Sequence, residues 1–341
     1  YPEYFALYLF AVGGFQFMVS SDSLIMIFVG LETSSMAIYT MVAMHNRMKT
    51  IEAAIKYFTM GALATAFFAF GAMIFYAVTG TVELGKVSEI LVTSNFGNYP
   101  LVLLGVTFMI GALGFKLSLV PFHSWVPDVY EGSTAAFAGF LAIVPKIAAF
   151  VVVLRFFEIF ISADDTYVQT ALFIIAVVTM TMGNLMALAQ TDIKRMLAFS
   201  SISHAGFVLA AILIGTTQAT VGIFVYWSLF AIANLGAFGM LWINRNKDAS
   251  INGYEQNTVE SYSGLVKKSP MTAAIMAMFM LSLAGVPPFS VFWGKFYLIG
   301  AAVNADHIYL ALIMALNSAV AVYYYIKPVV FMFFKDPIEI E

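Results

Sequence analysis

Long apolar runs alternate with short polar turns along the whole 341-residue chain. A run of about 20 apolar residues is long enough to cross the hydrocarbon core of a membrane as a helix. The pattern predicts ten spans, at residues 4–20, 23–44, 53–79, 101–121, 134–161, 167–190, 198–216, 220–243, 271–303 and 307–334. We therefore expect an all-α, polytopic membrane protein with little strand.

Two of these runs contain proline where the helix would have to continue. Pro121 ends the fourth run, and Gly285-Val286-Pro287-Pro288 lies in the middle of the ninth, which is too long for one straight crossing. Proline removes a backbone donor and clashes with the preceding turn. The carbonyls that it releases are tolerated at membrane depth only where they meet protein or water. We predict discontinuous helices near Pro121 and Pro287.

The two broken runs occupy equivalent places in the order of spans. Each is the fourth of five when the chain is divided into residues 1–165 and 166–341. A unit with an odd number of spans returns in the opposite orientation when it is repeated, so we expect two inverted five-helix repeats. Transporters with this architecture place their site at broken helices near the midplane of the membrane.

Composition supports the membrane assignment and narrows the chemistry. The chain is 62% hydrophobic and 10% charged, whereas soluble domains carry about 25% charged residues. The absence of cysteine excludes disulfides, thiolate zinc sites and cysteine-bound iron–sulfur clusters within this sequence. The sequence has no cluster of basic residues outside the predicted spans, so nothing in it indicates nucleic-acid binding. Because the sequence enters an apolar run directly from Tyr1-Pro2, we expect it to be part of a longer subunit.

The distribution of lysine and arginine predicts the orientation. With the first residue inside the cell, eleven of the sixteen fall on inner loops or span ends, and only Lys86 falls outside. The predicted inner set is Arg47, Lys49, Lys56, Lys194, Arg195, Arg245, Lys247, Lys267, Lys268, Lys327 and Lys335. The sequence Asp192-Ile193-Lys194-Arg195 is interpreted as an inner turn. Both ends of the chain are predicted to lie inside.

Four ionisable residues lie near the middle of predicted spans: Glu32, Lys116, Lys146 and Lys295. A charge at this depth costs roughly 2.5 to 3.5 kcal/mol even on lenient insertion scales, and such residues usually face a protein interior and mark an ion pathway. Burial lowers the pKa of a lysine, and a nearby carboxylate raises it. A lysine whose carboxylate partner can approach and leave therefore has a pKa that can be switched, which suits proton transfer. The structural alternatives are lysines snorkelling to the surface and static ion pairs that hold the bundle together.

His204 lies inside the seventh predicted span among Ser200, Ser201 and Ser203. Since an imidazole titrates near neutral pH, His204 is a candidate proton relay; a hydrogen-bonded packing histidine is the alternative. We expect Glu32 to approach Lys116 closely enough to pair, directly or through water. We also expect one lateral polar track to contain Lys116, Lys146, His204 and Lys295, with Lys295 at its outward end. Arg155 and Glu158, three residues apart near a helix end, are predicted to form a local pair.

Four stretches resemble the antiporter-like subunits of respiratory complex I: GFKLSLVPFHSWVPDVYEGS, VPKIAAF, DIKRMLAFSSISHAGF and LAGVPPFSVFWGKF. Within that family, PPFSVFWGKF and the closing AVYYYIKPVVFMFF are most similar to the bacterial subunit N branch, the counterpart of mitochondrial subunit 2. The resemblance covers nearly the whole chain and implies the fourth through thirteenth of fourteen spans. One departure is Gly132-Ser133-Thr134-Ala135-Ala136-Phe137, which lacks two prolines usual in the family and puts the shape of this turn in doubt.

The resemblance implies proton translocation driven by electron transfer from NADH to quinone elsewhere in the complex. Glu32 matches the glutamate of the family's fifth span, Lys116 the lysine of its seventh, Lys146 that of its eighth and Lys295 that of its twelfth. It also implies that this chain binds no cofactor, because NADH, FMN, the iron–sulfur clusters and quinone belong to the rest of the complex.

The resemblance implies other membrane subunits of the complex and the lipid bilayer as partners, no nucleic acid, and a multi-pass location in the bacterial inner membrane. Two other functions stay open at this point. A subunit of a cation/proton antiporter or of a membrane-bound hydrogenase would share the lysines. The other is a structural membrane anchor without transport of its own, for which replacement of Lys116 should leave pumping intact while disturbing assembly.

Overall fold

The computed structural model describes residues 2–44, 48–244 and 257–337, and these are almost entirely helical. Two isolated β-bridges, Ser23 with Glu83 and Asp192 with Thr258, are the extended pairings in that part of the chain. The helices are α1 (Pro2–Ser20), α2 (Leu24–Ala43), α3 (Met48–Thr79), α4 (Leu84–Thr93), α5 (Tyr99–Leu117), α6 (Trp125–Gly132), α7 (Ala135–Ser162), α8 (Thr166–Leu188), α9 (Ile193–Ile214), α10 (Thr217–Ile243), α11 (Leu265–Lys268), α12 (Pro270–Ala284), α13 (Ser290–Asn304) and α14 (Ile308–Phe334). The all-α prediction is confirmed.

Eight helices in the described residues are long and apolar enough to cross a membrane, namely α2, α3, α5, α7, α8, α9, α10 and α14. The first predicted span, residues 4–20, is helical as α1 but is not among the eight. The ninth predicted span consists of α12 and α13, each too short to cross alone. The chain is thus a multi-pass membrane protein, with helices at all ten predicted positions.

Both predicted helix breaks are present. In the first break, α5 ends at Leu117, because Ser118 adopts the left-handed conformation with φ of 58°. The chain becomes helical again at Trp125, where α6 begins. The indole N–H of Trp125 donates to the carbonyl of Phe115 at 3.1 Å and so satisfies one of the released acceptors. In the second break, α12 ends at Ala284 and Gly285 has φ of 78°.

The prediction that residues 192–195 form a turn is wrong, whereas their location on the inner side stays a prediction. Asp192 caps α9 by accepting a hydrogen bond from the Arg195 backbone N–H at 2.8 Å, so the helix starts at Ile193 instead of residue 198. Lys194 lies within this first turn and is buried. A side-chain cap outweighs the polarity that suggested a loop, because it satisfies an otherwise unpaired helix donor.

The predicted outer loop after α3 contains a helix that the apolar pattern did not reveal. Helix α4 is ten residues long and buries Leu84, Val87 and Leu91. Asp22 holds its start, because the Asp22 carboxylate accepts from the Gly85 backbone N–H at 3.2 Å. A helix this short, with a single apolar stripe, is invisible to a search for membrane-length runs.

The predicted local pair between Arg155 and Glu158 is also wrong. The Arg155 guanidinium donates to the backbone carbonyl of Ser21 and to the carboxylate of Asp22, both at 2.7 Å. Glu158 is exposed one turn further along α7. Arg155 favours these tertiary partners because two charge-assisted hydrogen bonds from one guanidinium are stronger than a solvent-exposed ion pair on one helix.

The chain divides into two compact units. The first comprises Tyr1–Ser133 and Val144–Leu172, and the second comprises Thr134–Ile143 and Phe173–Glu341. In the first unit, α1 and α2 approach closely through Gly14 and Gly30, where an added Cβ at Gly30 would lie 2.5 Å from the Gly14 carbonyl. Small residues permit such contacts between membrane helices. The inverted relation between two repeats stays a prediction.

Candidate functional site

In the first unit, Lys116 lies in the last turn of α5, directly before the helix break, and is buried with 8% of its surface exposed. Its ammonium donates a hydrogen bond to the hydroxyl of Ser35 on α2, and that hydroxyl donates to the Leu31 carbonyl. The lysine nitrogen also lies 6.0 Å from the centre of the Tyr39 ring. The break therefore fixes the end of α5 so that Lys116 reaches hydroxyl and aromatic groups of α2.

Glu32 lies one turn before Ser35 on α2 and accepts a hydrogen bond from the hydroxyl of Thr65 on α3. Within the described residues, Glu32 and Lys116 do not form a direct ion pair, since Glu32 bonds to Thr65 and Lys116 to Ser35. Residues three apart on a helix share one face, so Glu32 and the Ser35 partner of Lys116 are neighbours. The direct pair is thus absent, and the predicted pairing through water stays a prediction; the Ser35 hydroxyl is the protein group that lies next to both side chains.

Lys146 lies in the middle of α7 and is almost completely buried, with 1% of its surface exposed. The helix continues through Pro145, which immediately precedes the lysine. The turn that lacks the two usual prolines is short, since α6 ends at Gly132 and α7 begins at Ala135. The hydroxyl of Thr134 accepts from the Phe137 backbone N–H at 3.4 Å and caps the helix in place of a proline.

In the second unit, Lys295 lies on α13 just after the second break and is 4% exposed. Its ammonium donates to the carbonyl of Ala284, the last residue of α12, at 3.3 Å. It also lies 5.6 Å from the centre of the Phe207 ring on α9. The carbonyl end of a helix carries partial negative charge, so the end of the first half-helix is a favourable position for a cation.

His204 is buried on α9, and hydroxyl groups face both nitrogens of its ring. Its Nδ1 shares a hydrogen bond with the Tyr226 hydroxyl on α10, and its Nε2 lies 3.1 Å from the Tyr325 hydroxyl on α14. The Tyr325 hydroxyl in turn shares a hydrogen bond with Ser200. A neutral imidazole donates at one nitrogen and accepts at the other, so this arrangement connects proton donors and acceptors across three helices.

Tyr226 brings His204 and the helix that carries Lys295 together. Its ring lies 6.1 Å from Phe207, the residue beneath the Lys295 ammonium. Gly294, which precedes Lys295, leaves space for Tyr226, because an added Cβ there would lie 2.9 Å from the tyrosine ring. His204 and Lys295 therefore share the Tyr226 and Phe207 side chains as neighbours within one unit.

A second polar network in this unit was not predicted. Asn184 on α8 donates to the backbone and side-chain oxygens of Asn317 on α14, at 2.9 and 3.0 Å, and accepts from the Tyr324 hydroxyl at 2.9 Å. Asn317 donates to Thr181 at 3.3 Å. In the sequence, these residues stand out only as polar residues in apolar spans. That signal does not indicate which of them contact each other.

Titratable groups suited to a metal are not clustered, since no group of three or more His, Asp and Glu side chains in the described part of the chain could hold an ion. The chemistry of the sites is that of amines, hydroxyls, one carboxylate and one imidazole. Side chains of these types can act as general acids and bases.

Comparison with known proteins decides the family. Residues 21–321 match the family described as NADH:quinone oxidoreductase/Mrp antiporter, TM. NADH-quinone oxidoreductase subunit N of Sulfurimonas denitrificans is 59% identical over 338 residues, which cover 99% of this chain and 67% of the relative. The protein of the same name from Sulfurovum sp. is 54% identical over 342 residues, covering 99% of this chain and 69% of the relative. The chain belongs to the subunit N family.

A solved structure agrees with this assignment. A chain in the structure of respiratory complex I from Thermus thermophilus with bound aureothin has a TM-score of 0.83 and 34% identity. The match covers 99% of this chain and 72% of the other. The predicted resemblance to the antiporter-like subunits is confirmed, and the subunit N family places this chain among the membrane subunits of NADH:quinone oxidoreductase.

Proposed function

We propose that this chain translocates protons as a membrane subunit of NADH:quinone oxidoreductase in the bacterial inner membrane. Protons would pass through Glu32, Lys116, Lys146, His204 and Lys295, driven by quinone reduction elsewhere in the complex. In this proposal NADH, FMN, the iron–sulfur clusters and quinone bind to other subunits, and other membrane subunits of the complex are the partners. Lys295 would form the outward end of the pathway.

The observation that carries this proposal is the position of two buried lysines at the two helix breaks. Lys116 and Lys295 are both buried, and neither forms an ion pair within the described residues. Their hydrogen-bond partners are a serine hydroxyl and a helix-terminal carbonyl. A static structural lysine would need a carboxylate to offset its desolvation, whereas a neutral partner leaves the amine free to change protonation state.

The surroundings of Glu32 and His204 support the same interpretation. Glu32 accepts a hydrogen bond from the Thr65 hydroxyl and shares a face of α2 with Ser35, the partner of Lys116, so it lies beside the Lys116 site without a locked pair. His204 lies between two tyrosine hydroxyls, a geometry that suits a relay as well as packing. Proton transfer over longer distances requires intermediates within hydrogen-bond reach.

The test compares proton uptake with NADH oxidation in vesicles that contain the complete complex. We expect Lys116→Ala and Lys295→Ala each to slow proton pumping on the order of tenfold or more, because a missing acid–base group typically costs at least that much. Glu32→Gln should also impair pumping, and Glu32→Asp should be milder because the negative charge remains. Lys86→Ala is the matched control, since this lysine is exposed and pairs with Glu83 at 2.8 Å.

The comparison is made at matched content of assembled complex. Pumping at the wild-type rate in both lysine variants would overturn the proposal and leave the chain as a structural membrane subunit. A decrease in the Lys86→Ala control of similar size would show that the lysine effects are not specific to the helix breaks.

A further inference from the structure

Asn234 is a buried amide on α10 that the proposed pathway does not use. The side chain has 0% exposure, and both its oxygen and its nitrogen lack a hydrogen-bond partner in the described protein. An amide offers two donors and two lone pairs, and leaving such a group unsatisfied costs roughly 1–3 kcal/mol. Buried polar groups without protein partners are usually satisfied by ordered water. The orphaned amide therefore points to a ligand of that kind.

The position of Asn234 connects it to the His204 cluster. Tyr226, Phe230 and Asn234 are spaced four residues apart on α10, so they lie along one helix face. Tyr226 bonds to His204, and the Phe230 ring lies 4.2 Å from the His204 ring. Asn234 is thus one turn beyond Phe230, about 6 Å further toward the C-terminal end of α10.

A second polar group lies at the same level. Helices α9 and α10 are joined by a short turn and run in opposite directions, so four residues forward from Phe230 correspond to four residues back from His204. The residue at that position is Ser200, which shares a hydrogen bond with Tyr325. A hydroxyl has two lone pairs as well as its donor, so Ser200 or Tyr325 can bind a further water molecule.

We infer that Asn234 holds an ordered water molecule that joins the Ser200–Tyr325–His204 hydrogen-bond chain from the C-terminal side of α10. The positively charged residues that follow α10 in the sequence predict that the C-terminal end of this helix faces the inside of the cell. When the water accepts a proton from one neighbour, it would release a different proton to the next. Each hydroxyl in the chain would likewise accept one proton and release its own. Asn234 is accordingly a positioning residue for the water. The relay role of this water depends on the proposed proton translocation.

The test uses Asn234→Leu, which keeps the approximate shape and removes both polar atoms. We expect proton pumping per NADH oxidised to fall roughly three- to tenfold, the size of effect that the loss of one hydrogen bond produces. The thermal stability of the complex should be unchanged or higher, because no protein partner of Asn234 is left unpaired. Asn234→Ser should restore part of the pumping, since a hydroxyl also binds water.

Asn184→Leu is the matched control, because Asn184 is also a buried asparagine but bonds to Asn317 and Tyr324. It should lower the thermal stability of the complex, which Asn234→Leu should not. A high-resolution map of the wild-type complex should show water within hydrogen-bond distance of the Asn234 amide, and the leucine variant should lack it.

Two results would overturn the inference. One is the absence of water density at Asn234 in a map that resolves other buried waters, and the other is wild-type pumping by Asn234→Leu. If Lys116→Ala and Lys295→Ala lose pumping while Asn234→Leu does not, the relay inference fails alone. If the water is present but both lysine variants pump normally, the proposed function fails and the relay role falls with it.

Discussion

At the scale of single residues, the buried Lys116 contacts a group that can reverse the direction of a hydrogen bond. An ammonium donates to the Ser35 hydroxyl, whereas a neutral amine can accept from it. A carboxylate partner would bind the charged form and leave the neutral form with a poorer contact. A hydroxyl partner therefore supports both protonation states, which is the property that a transfer site needs.

Replacing Ser35 with alanine tests this role. We expect Ser35→Ala to slow proton pumping by less than Lys116→Ala does, because the amine remains but loses the neighbour that serves both of its states. Ser34→Ala is the matched control, since Ser34 is equally buried and, within the described residues, its hydroxyl bonds only to the Leu31 carbonyl at 3.0 Å. The measurement is proton uptake in vesicles containing the assembled complex. Equal pumping by the Ser35 and Ser34 variants would contradict a specific role for Ser35.

The sequence identified the candidate titratable residues but not their partners. Glu32, Lys116, Lys146 and Lys295 were visible because a charge in an apolar run is rare. Ser35 could have been suspected, since it lies three residues after Glu32 on the same helix. Thr65, Tyr226 and Tyr325 come from distant spans, and hydropathy does not determine which polar faces of different helices meet. Their roles follow only from tertiary packing.

At the scale of helices, both breaks begin with a residue in the left-handed conformation, Ser118 after α5 and Gly285 after α12. The prolines predicted the existence of the breaks but not where the helices stop, because α5 ends at Leu117, before Pro121. Charged or short elements were missed for related reasons. The start of α9 was not predicted because Lys194 and Arg195 interrupt the apolar pattern there. Helix α4 was not predicted because it is short and has a single apolar stripe.

Gly285 offers a test of whether the second break positions Lys295. The residue has φ of 78°, and an added Cβ would lie 3.1 Å from the Lys295 side chain. Gly285→Ala should destabilise the fold by about 1–2 kcal/mol because L-residues disfavour this conformation, and it should impair pumping by displacing the lysine. Gly300→Ala in α13 is the control, since its Cβ would meet nothing within 4 Å.

Thermal unfolding of the purified complex and proton uptake are measured together for these glycine variants. Gly300→Ala should be neutral or slightly stabilising, because alanine is a better helix former than glycine. If Gly285→Ala were as stable and as active as Gly300→Ala, the left-handed turn would not be required to hold Lys295 at the end of α12.

At the scale of the whole molecule, the orientation in the membrane depends on the distribution of positive charge. Arg47, Arg245 and Lys247 contribute to the predicted inner side but lie outside the described residues. The exposed Lys86 on α4 and the exposed Lys268 at the end of α11 are predicted on opposite sides. Five predicted spans separate them, with the broken helix after α4 counted as one.

The absence of cysteine from this sequence allows the topology to be tested with single introduced thiols. In the full-length subunit, with any other cysteine replaced by serine, Lys86→Cys should react with a membrane-impermeant maleimide from the outside. Lys268→Cys should react only in inverted vesicles. Asp306→Cys, placed after α13, should again react from the outside, because α12 and α13 together make one crossing although neither is long enough alone. Labelling of positions 268 and 306 from the same side would contradict the broken-span interpretation.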